Sequence, residues 1–140
     1  MKPLLAALAL VLVGCGQGGL RIEDAQYRAP LGVSGIGVAY FSLISPSDDA
    51  IVGVSSPQAD RIEMHASTNE GAQMTMKRQE KVALPANQTV TFGPGGLHLM
   101  IFAPKPLPEG ATFPIQIDLE SGRSETFQFH TVLIGGQGVK

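Results

Sequence analysis

The sequence predicts a single all-β domain in which antiparallel strands form a β-sandwich. Runs rich in β-branched and aromatic residues recur about every ten residues with turn-forming residues between them, a layout typical of sandwiches and barrels. No window sustains a helical period. The chain of 140 residues, with 17 Gly and 10 Pro, suits one core bounded by many turns. We find no internal repeat and no second domain.

Each predicted strand is a short run that ends at a turn signal. In chain order the runs are GIGVAYFSLI (35–44), AIVGVSS (50–56), RIEMHAS (61–67), QMTMKRQ (73–79), KVALPA (81–86), TVTF (89–92), LHLMIFA (97–103), TFPIQIDLE (112–120) and ETFQFHTVLI (125–134). Between them stand segments such as SPSDD, TNEG, GPGG and SGRS, whose residues favour turns. Most prolines fall in these connections, but Pro114 lies inside a run and therefore predicts an edge strand or a bulge.

The N-terminus has the layout of a lipoprotein signal. Lys2 precedes an apolar run at 3–13 that is too short to span a bilayer, and Gly14 and Cys15 end it. The ending Leu-Val-Gly-Cys resembles the bacterial lipobox, whose cysteine becomes the lipidated first residue. Cys15 is the only cysteine, so it has no disulfide partner within the chain. The alternative is a cytosolic protein with a buried N-terminal strand and an incidental cysteine.

This layout divides the chain into four segments. We expect a signal peptide at 1–14, a flexible tether from the lipidated cysteine at 15–20, a β-sandwich at 21–136 and a short tail at 137–140. Such a protein is extracytoplasmic or periplasmic and is lipid-anchored to a membrane. The net charge of -2 and the scattered Lys and Arg residues form no basic stripe, which argues against a nucleic-acid partner.

In each predicted strand, the alternation of side chains indicates which histidines and methionines share a face. His98 and Met100 are two residues apart in LHLMIF, so both point away from the face of Leu99. In RIEMHAS the apolar phase contains Met64, which places His65 on the opposite face. Met74 and Met76 share a face of QMTMKRQ. We expect these side chains to converge at one end of the sandwich.

Imidazole and thioether together are a selective set of metal donors. Thioethers are soft and neutral and imidazole is borderline, so the combination favours Cu(I) over zinc or hard cations. Neither donor forms disulfides, which suits an oxidising compartment. The donor types therefore predict a Cu(I) site.

The four donors also match a spacing. His65, Met76, His98 and Met100 have the pattern H-x10-M-x21-H-x-M, and the chain resembles the bacterial periplasmic copper chaperones called PCu(A)C. The resemblance extends to YRAP, AYFSLISPSDDAIVGVSSPQADRIEMH, GAQMTMK, GPGGLHLM and PLPEGATFPIQIDLESG. It implies a cupredoxin-like Greek-key β-sandwich, monomeric and not an enzyme, that binds one Cu(I) in an exposed site through those four residues. It further implies delivery to the CuA centre of cytochrome c oxidase, with subunit II or a thioredoxin-like Sco assembly protein as partner.

The chain departs from the family's pattern at three points. Many members have a methionine just after the first histidine, whereas here Met64 precedes His65 and Ala66 follows it, so Met64 is not counted as a ligand. Met74 resembles a frequent companion methionine and is an auxiliary or alternative donor. Some members carry a His- and Met-rich tail for a second, cupric ion, and this chain ends in GGQGVK, so a second copper is not expected.

Several of these residues and segments also fit other roles. Each methionine alone is more typical of core packing than of ligation. His130 lies outside the motif and is expected to be a solvated strand residue. GPGG lacks the lysine and the following helix of a phosphate loop and is therefore predicted to be a turn.

Two other classes of protein are alternatives to a copper chaperone. A blue-copper protein would need a cysteine in the site, and the single cysteine of this chain is at the predicted lipid anchor. The remaining alternative is a metal-independent, lipid-anchored β-sandwich that binds partners or serves a structural role.

Overall fold

The computed structural model describes residues 18–30, 35–108 and 110–132. These residues form ten strands: β1 (Arg21–Arg28), β2 (Ile36–Ile44), β3 (Asp49–Ser55), β4 (Arg61–Glu70), β5 (Gln73–Gln79), β6 (Val82–Leu84), β7 (Thr89–Phe92), β8 (Leu97–Phe102), β9 (Thr112–Leu119) and β10 (Ser124–Val132). The predicted all-β class is confirmed. Within the described ranges, no helix has the length and apolarity that a membrane crossing requires. The predicted signal peptide, Cys15 and the tail at 137–140 lie outside these ranges.

The strands join into one continuous, strongly curved sheet. Their order is β5-β4-β8-β7-β2-β1-β10-β9-β3-β6, and β8 also pairs with β2. Most neighbours are antiparallel, as predicted, but β1 pairs with β10 in parallel and so does β7 with β8. The second exception has a simple cause. β7 and β8 follow one another along β2, both antiparallel to it, so they run in the same direction.

Aromatic and aliphatic side chains fill the space enclosed by this sheet. Phe41 of β2 stacks on Phe92 of β7 with ring centroids 4.4 Å apart, and it meets the edge of Phe129 of β10 at 5.5 Å. Leu99 and Ile101 of β8 are fully buried in the same cluster. Because the core residues run from Leu20 to Phe129, a chain of residues 16–140 retains every described strand and the whole core.

The first strand was not predicted. RIEDAQYR contains few apolar residues, and its alternation is interrupted by a bulge between Glu23 and Gln26, where Asp24 has a φ of 53°. Leu20, which the sequence placed in the tether, is instead buried against the core. Its backbone N–H donates to the Glu125 carboxylate at 3.0 Å. The described core therefore includes the residue just before the predicted sandwich boundary at 21.

Pro114 lies where the sheet can accept a proline. It faces Gln128 of β10 within β9, but the pairing of β9 with β3 ends at Gln116, opposite Ser55. Pro114 is thus at a locally free edge, as the sequence indicated, and its missing N–H breaks no bond to β3.

Candidate metal centre

The predicted donors project from the face of the sheet opposite the core. Leu99 and Ile101 of β8 are fully buried inside, so the alternate residues His98 and Met100 point to the other side. These residues lie on the outer face of β8 and β4, near the turn that starts β8, since Gly95 of that turn lines the same depression as His98. Met64 lies in the core and is only 4% exposed, so it takes no part in this face.

The two histidines are brought together by strand pairing. His65 of β4 and His98 of β8 are direct partners in the antiparallel ladder. Their ring centroids lie 5.9 Å apart, with the ring planes inclined by 33°. Since imidazole nitrogens bind metals at about 2 Å, a ring centroid lies about 3.2 Å from a bound ion, so this spacing allows both rings to reach one ion.

His98 is held by a backbone carbonyl. The side chain is almost buried, and its Nδ1 lies 3.0 Å from the Gly96 carbonyl oxygen. Because a carbonyl oxygen only accepts, Nδ1 carries the proton and donates it, which leaves the lone pair of the neutral ring on Nε2. The same Gly96 oxygen accepts the backbone N–H of Ser67 on β4 at 3.1 Å. The Gly96 carbonyl therefore helps to hold β4 beside β8 and also determines that Nε2 is the nitrogen of His98 with a free lone pair.

The segment GPGG is a turn, as the sequence indicated. The Gly96 N–H donates to the Gly93 carbonyl at 3.1 Å, and the Gly93 N–H donates to the Leu97 carbonyl at 2.8 Å. Gly95 has a φ of 79°, a conformation that side chains with a Cβ rarely adopt. The turn ends two residues before His98 and presents the Gly96 carbonyl to it.

His65 is held by a carboxylate. Its Nε2 lies 2.9 Å from Oε2 of Glu63, while Oε1 of Glu63 accepts from Nε of Arg61 at 3.0 Å. Arg78 lies 3.8 Å from the same Oε1. The pKa of Glu63 is lowered, first by the hydrogen bond from His65 and then by that from Arg61, with desolvation opposing and the charges of Arg78 and Arg61 assisting. Glu63 is therefore an acceptor at neutral pH.

The other nitrogen of His65 has no partner. Nδ1 is buried, and no hydrogen-bond partner lies within reach of it in the described structure. An unsatisfied buried polar atom costs about 1–3 kcal/mol of stability. A metal ion bound to this lone pair would remove that cost. The unpartnered Nδ1 therefore shows that the residues present fit a metal ion.

The thioethers form the open side of the site. Met74, Met76 and Met100 line a shallow depression of about 160 Å³ together with His98. The rest of its wall is formed by Val38, Tyr40, Ser67 and Gly95. Met74 and Met76 are 59% and 56% exposed. Met76 pairs with Ser67 and Met74 with Asn69, so Met76 is one pleat closer to His65.

Several features around these donors were not found in the sequence. The bonds from Glu63 to His65 and from Gly96 to His98 were not predicted, although Glu63 stands two residues before His65 and thus on the same face of β4. His130 is exposed on β10, where it pairs with Gln26, and lines a separate depression. Among the described residues, no cluster of three or more His, Cys, Asp or Glu side chains could hold a metal.

The fold and the donor set define the class: a cupredoxin-like β-sandwich that carries imidazole and thioether groups on the outer face of its sheet. The LpqE-like family model, whose description is of lipoproteins, matches residues 20–131. The chain belongs to this family. No curated protein sequence matches it significantly.

Solved structures confirm the fold. The copper-bound PCuAC domain from PmoF2 superimposes with a TM-score of 0.69 at 22% identity, over 84% of this chain and 95% of that one. The solution structure of apo-DR1885 from Deinococcus radiodurans has a TM-score of 0.61 at 22% identity and covers 96% of both chains. Its CuI form has a TM-score of 0.58 at 24% identity, over 88% of this chain and 85% of that one. The resemblance to PCu(A)C domains is therefore confirmed in the fold.

Proposed function

We propose that this protein is a copper chaperone that binds one Cu(I) ion through His65, Met76, His98 and Met100. The observation that carries the proposal is the orphaned Nδ1 of His65, a buried lone pair on the same face as His98 and the methionines. All four donors are neutral, and two are thioethers, which suits a soft monovalent ion. The copper-bound PCuAC domain from PmoF2 and CuI-DR1885, which share this fold, support the same cargo.

The arrangement suits a carrier more than an enzyme. The imidazole side of the site is fixed by hydrogen bonds and mostly buried, while the thioethers on β5 are exposed. A thiolate or imidazole from a partner can approach on the thioether side and join the ion before the histidines release it. Stepwise exchange of this kind needs no step in which the ion is free. Met74 lines the same depression and serves as the auxiliary donor.

The destination follows from the family resemblance. We propose delivery toward the CuA centre of cytochrome c oxidase, through subunit II or a thioredoxin-like Sco protein, from a position outside the cytoplasm. Attachment through a lipid on Cys15 is supported by the lipobox-like sequence and by the description of the LpqE-like family.

An anaerobic Cu(I) competition titration of residues 16–140 tests the proposal. The parent should bind one ion, and the double variant Met76→Leu, Met100→Leu should bind much more weakly with an unchanged strand circular-dichroism spectrum. Met64→Leu is the matched control, because it removes a core thioether by a swap that cores tolerate. Equal or negligible binding by parent and double variant would leave the metal-independent, lipid-anchored sandwich as the function.

A further inference from the structure

Glu63 divides its two carboxylate oxygens between two different tasks. Oε2 lies 2.9 Å from Nε2 of His65. Oε1 lies 3.0 Å from Nε of Arg61 and 3.8 Å from a terminal nitrogen of Arg78. The side chain is only 14% exposed, so protein groups provide most of its surroundings. These contacts determine the orientation of the Glu63 carboxylate: Oε1 faces the two arginines and Oε2 faces His65.

The two arginines fix the carboxylate in place. A guanidinium only donates hydrogen bonds and stays charged, so the position of Oε1 must always hold an acceptor. Arg61 is itself held from the other side, since its guanidinium carbon lies 3.8 Å from the centre of the Phe102 ring. The carboxylate is therefore anchored through one oxygen and offers the other to His65.

The proton position on His65 follows from this contact. An ionised carboxylate can only accept, so Nε2 of His65 must carry the hydrogen in the bond between them. In the neutral ring the lone pair then stays on Nδ1, the buried nitrogen that has no protein partner. The opposite tautomer would place an N–H where nothing accepts it and two acceptors face to face at Glu63.

We propose that Glu63, anchored by Arg61 and Arg78, is a positioning residue that keeps the hydrogen of His65 on Nε2 and so directs Nδ1 to the metal. The inference rests on the proposed function for the identity of the metal, but the tautomer itself is a property of the metal-free protein. The site then uses different ring nitrogens in its two histidines: Nδ1 of His65, set by a carboxylate, and Nε2 of His98, set by the Gly96 carbonyl.

The substitution Glu63→Gln makes a sharp test because it replaces one acceptor by a donor. Arg61 still needs an acceptor, so the amide oxygen takes the place of Oε1 and the amide NH₂ takes the place of Oε2. The NH₂ group then donates to Nε2 of His65, which must lose its hydrogen to Nδ1. The variant should therefore carry the opposite tautomer, with the proposed ligand atom protonated.

The experiment measures the ¹⁵N chemical shifts of the imidazole nitrogens in metal-free residues 16–140, followed by anaerobic Cu(I) competition on the same samples. We expect the Nε2–H form of His65 in the parent and the Nδ1–H form in Glu63→Gln. Cu(I) affinity should fall about 10–100-fold, as is usual when the hydrogen-bond partner of a metal ligand is changed. Glu80→Gln is the matched control, because Glu80 also pairs with Arg78 and the substitution removes the same charge without touching His65.

The outcomes separate this inference from the proposed function. An Nδ1–H tautomer in the parent, or an unchanged tautomer and affinity in Glu63→Gln, would overturn the inference even if the parent binds copper well. If the parent shows the expected tautomer and the variant reverses it, Glu63 positions His65 whether or not copper binds; absent Cu(I) binding would then count against the chaperone alone. If Glu63→Gln fails to fold, Glu63→Ala supplies neither bond and should give a mixture of tautomers.

Discussion

His65 and His98 are direct cross-strand partners, and their ring centroids lie 5.9 Å apart. The ladder between β4 and β8 sets this separation, and a hydrogen bond to each ring limits its rotation. The imidazole half of the site is therefore arranged before any ion arrives. Preorganised ligands bind without the loss of side-chain freedom that ordering would otherwise require.

The two exposed methionines of β5 should differ in their effect on copper binding. Met76 pairs with Ser67, one pleat closer to His65 than Met74, which pairs with Asn69. Met76→Leu should therefore reduce Cu(I) affinity by a larger factor than Met74→Leu. Competition titrations of the two single variants measure the difference, and an equal or reversed order would mean that Met74 is the principal donor.

The turn before β8 should tolerate a side chain at one glycine and not at another. Gly95 has a φ of 79°, so Gly95→Ala should lower the free energy of unfolding by about 1–2 kcal/mol, the cost of a left-handed L-residue. Gly96→Ala is the control, because its added Cβ would meet only the Gly93 carbonyl oxygen, at an ordinary 3.9 Å. Urea denaturation measures the free energy of unfolding of both variants. Similar losses in both variants would show that backbone conformation at Gly95 is not the cause.

The aromatic cluster should dominate the stability of the core. Phe41 is 2% exposed and contacts both Phe92 and Phe129, so Phe41→Ala should lower the free energy of unfolding by about 3–5 kcal/mol. Val52 is 44% exposed on β3, and Val52→Ala should change it far less. Chemical denaturation measures both, and a loss below about 1 kcal/mol for Phe41→Ala would contradict this packing.

Asp49 should make folding stability depend on acid pH. Desolvation raises its pKa, but the hydroxyl of Ser121, the N–H groups of Ala50 and Ser121 and the charge of Arg123 together lower the pKa below the ordinary 3.8. Stabilisation by the ionised form is therefore present above the unfolded-state pKa and is lost as pH falls through the lower folded-state value.

The measurement is a pair of thermal unfolding series at pH 7 and pH 3. Asp49→Asn should lower the melting temperature more at pH 7 than at pH 3, since in acid the parent already loses part of the stabilisation that the ionised carboxylate provides. Ser121→Ala removes the 2.6 Å bond to Oδ2 of Asp49 and should reduce the difference between the two series. If Asp49→Asn lowers the melting temperature equally at pH 7 and pH 3, ionisation of Asp49 does not contribute to the pH dependence of stability.

Local sequence patterns predicted the fold where alternation is regular and failed where it is not. β8 was read correctly because LHLMIF alternates cleanly, which also placed His98 and Met100 on one face. β1 was missed because RIEDAQYR offers Tyr27 as its only fully buried residue and a bulge shifts its phase. Pattern reasoning cannot detect a strand whose place is decided by its neighbours.

The candidate donors were identified from their spacing, but their surroundings were not. The pairing of His65 with His98 depends on the register of β4 against β8, which no local pattern specifies. The same register places these side chains together on the outer face of β4 and β8. The contact of Glu63 with His65 depends on side-chain torsions and on two arginines, and such contacts require coordinates.

The exposure of Met74 and Met76 also makes the protein vulnerable to oxidants in its surroundings. Peroxide reaching these thioethers would convert them to sulfoxides, which are polar and poor soft donors. Met64, enclosed in the core, should survive longest, and mass spectrometry after brief peroxide treatment would show this order. The histidines would remain in place, so oxidative damage would leave a folded protein in which the proposed site lacks its exposed thioether donors.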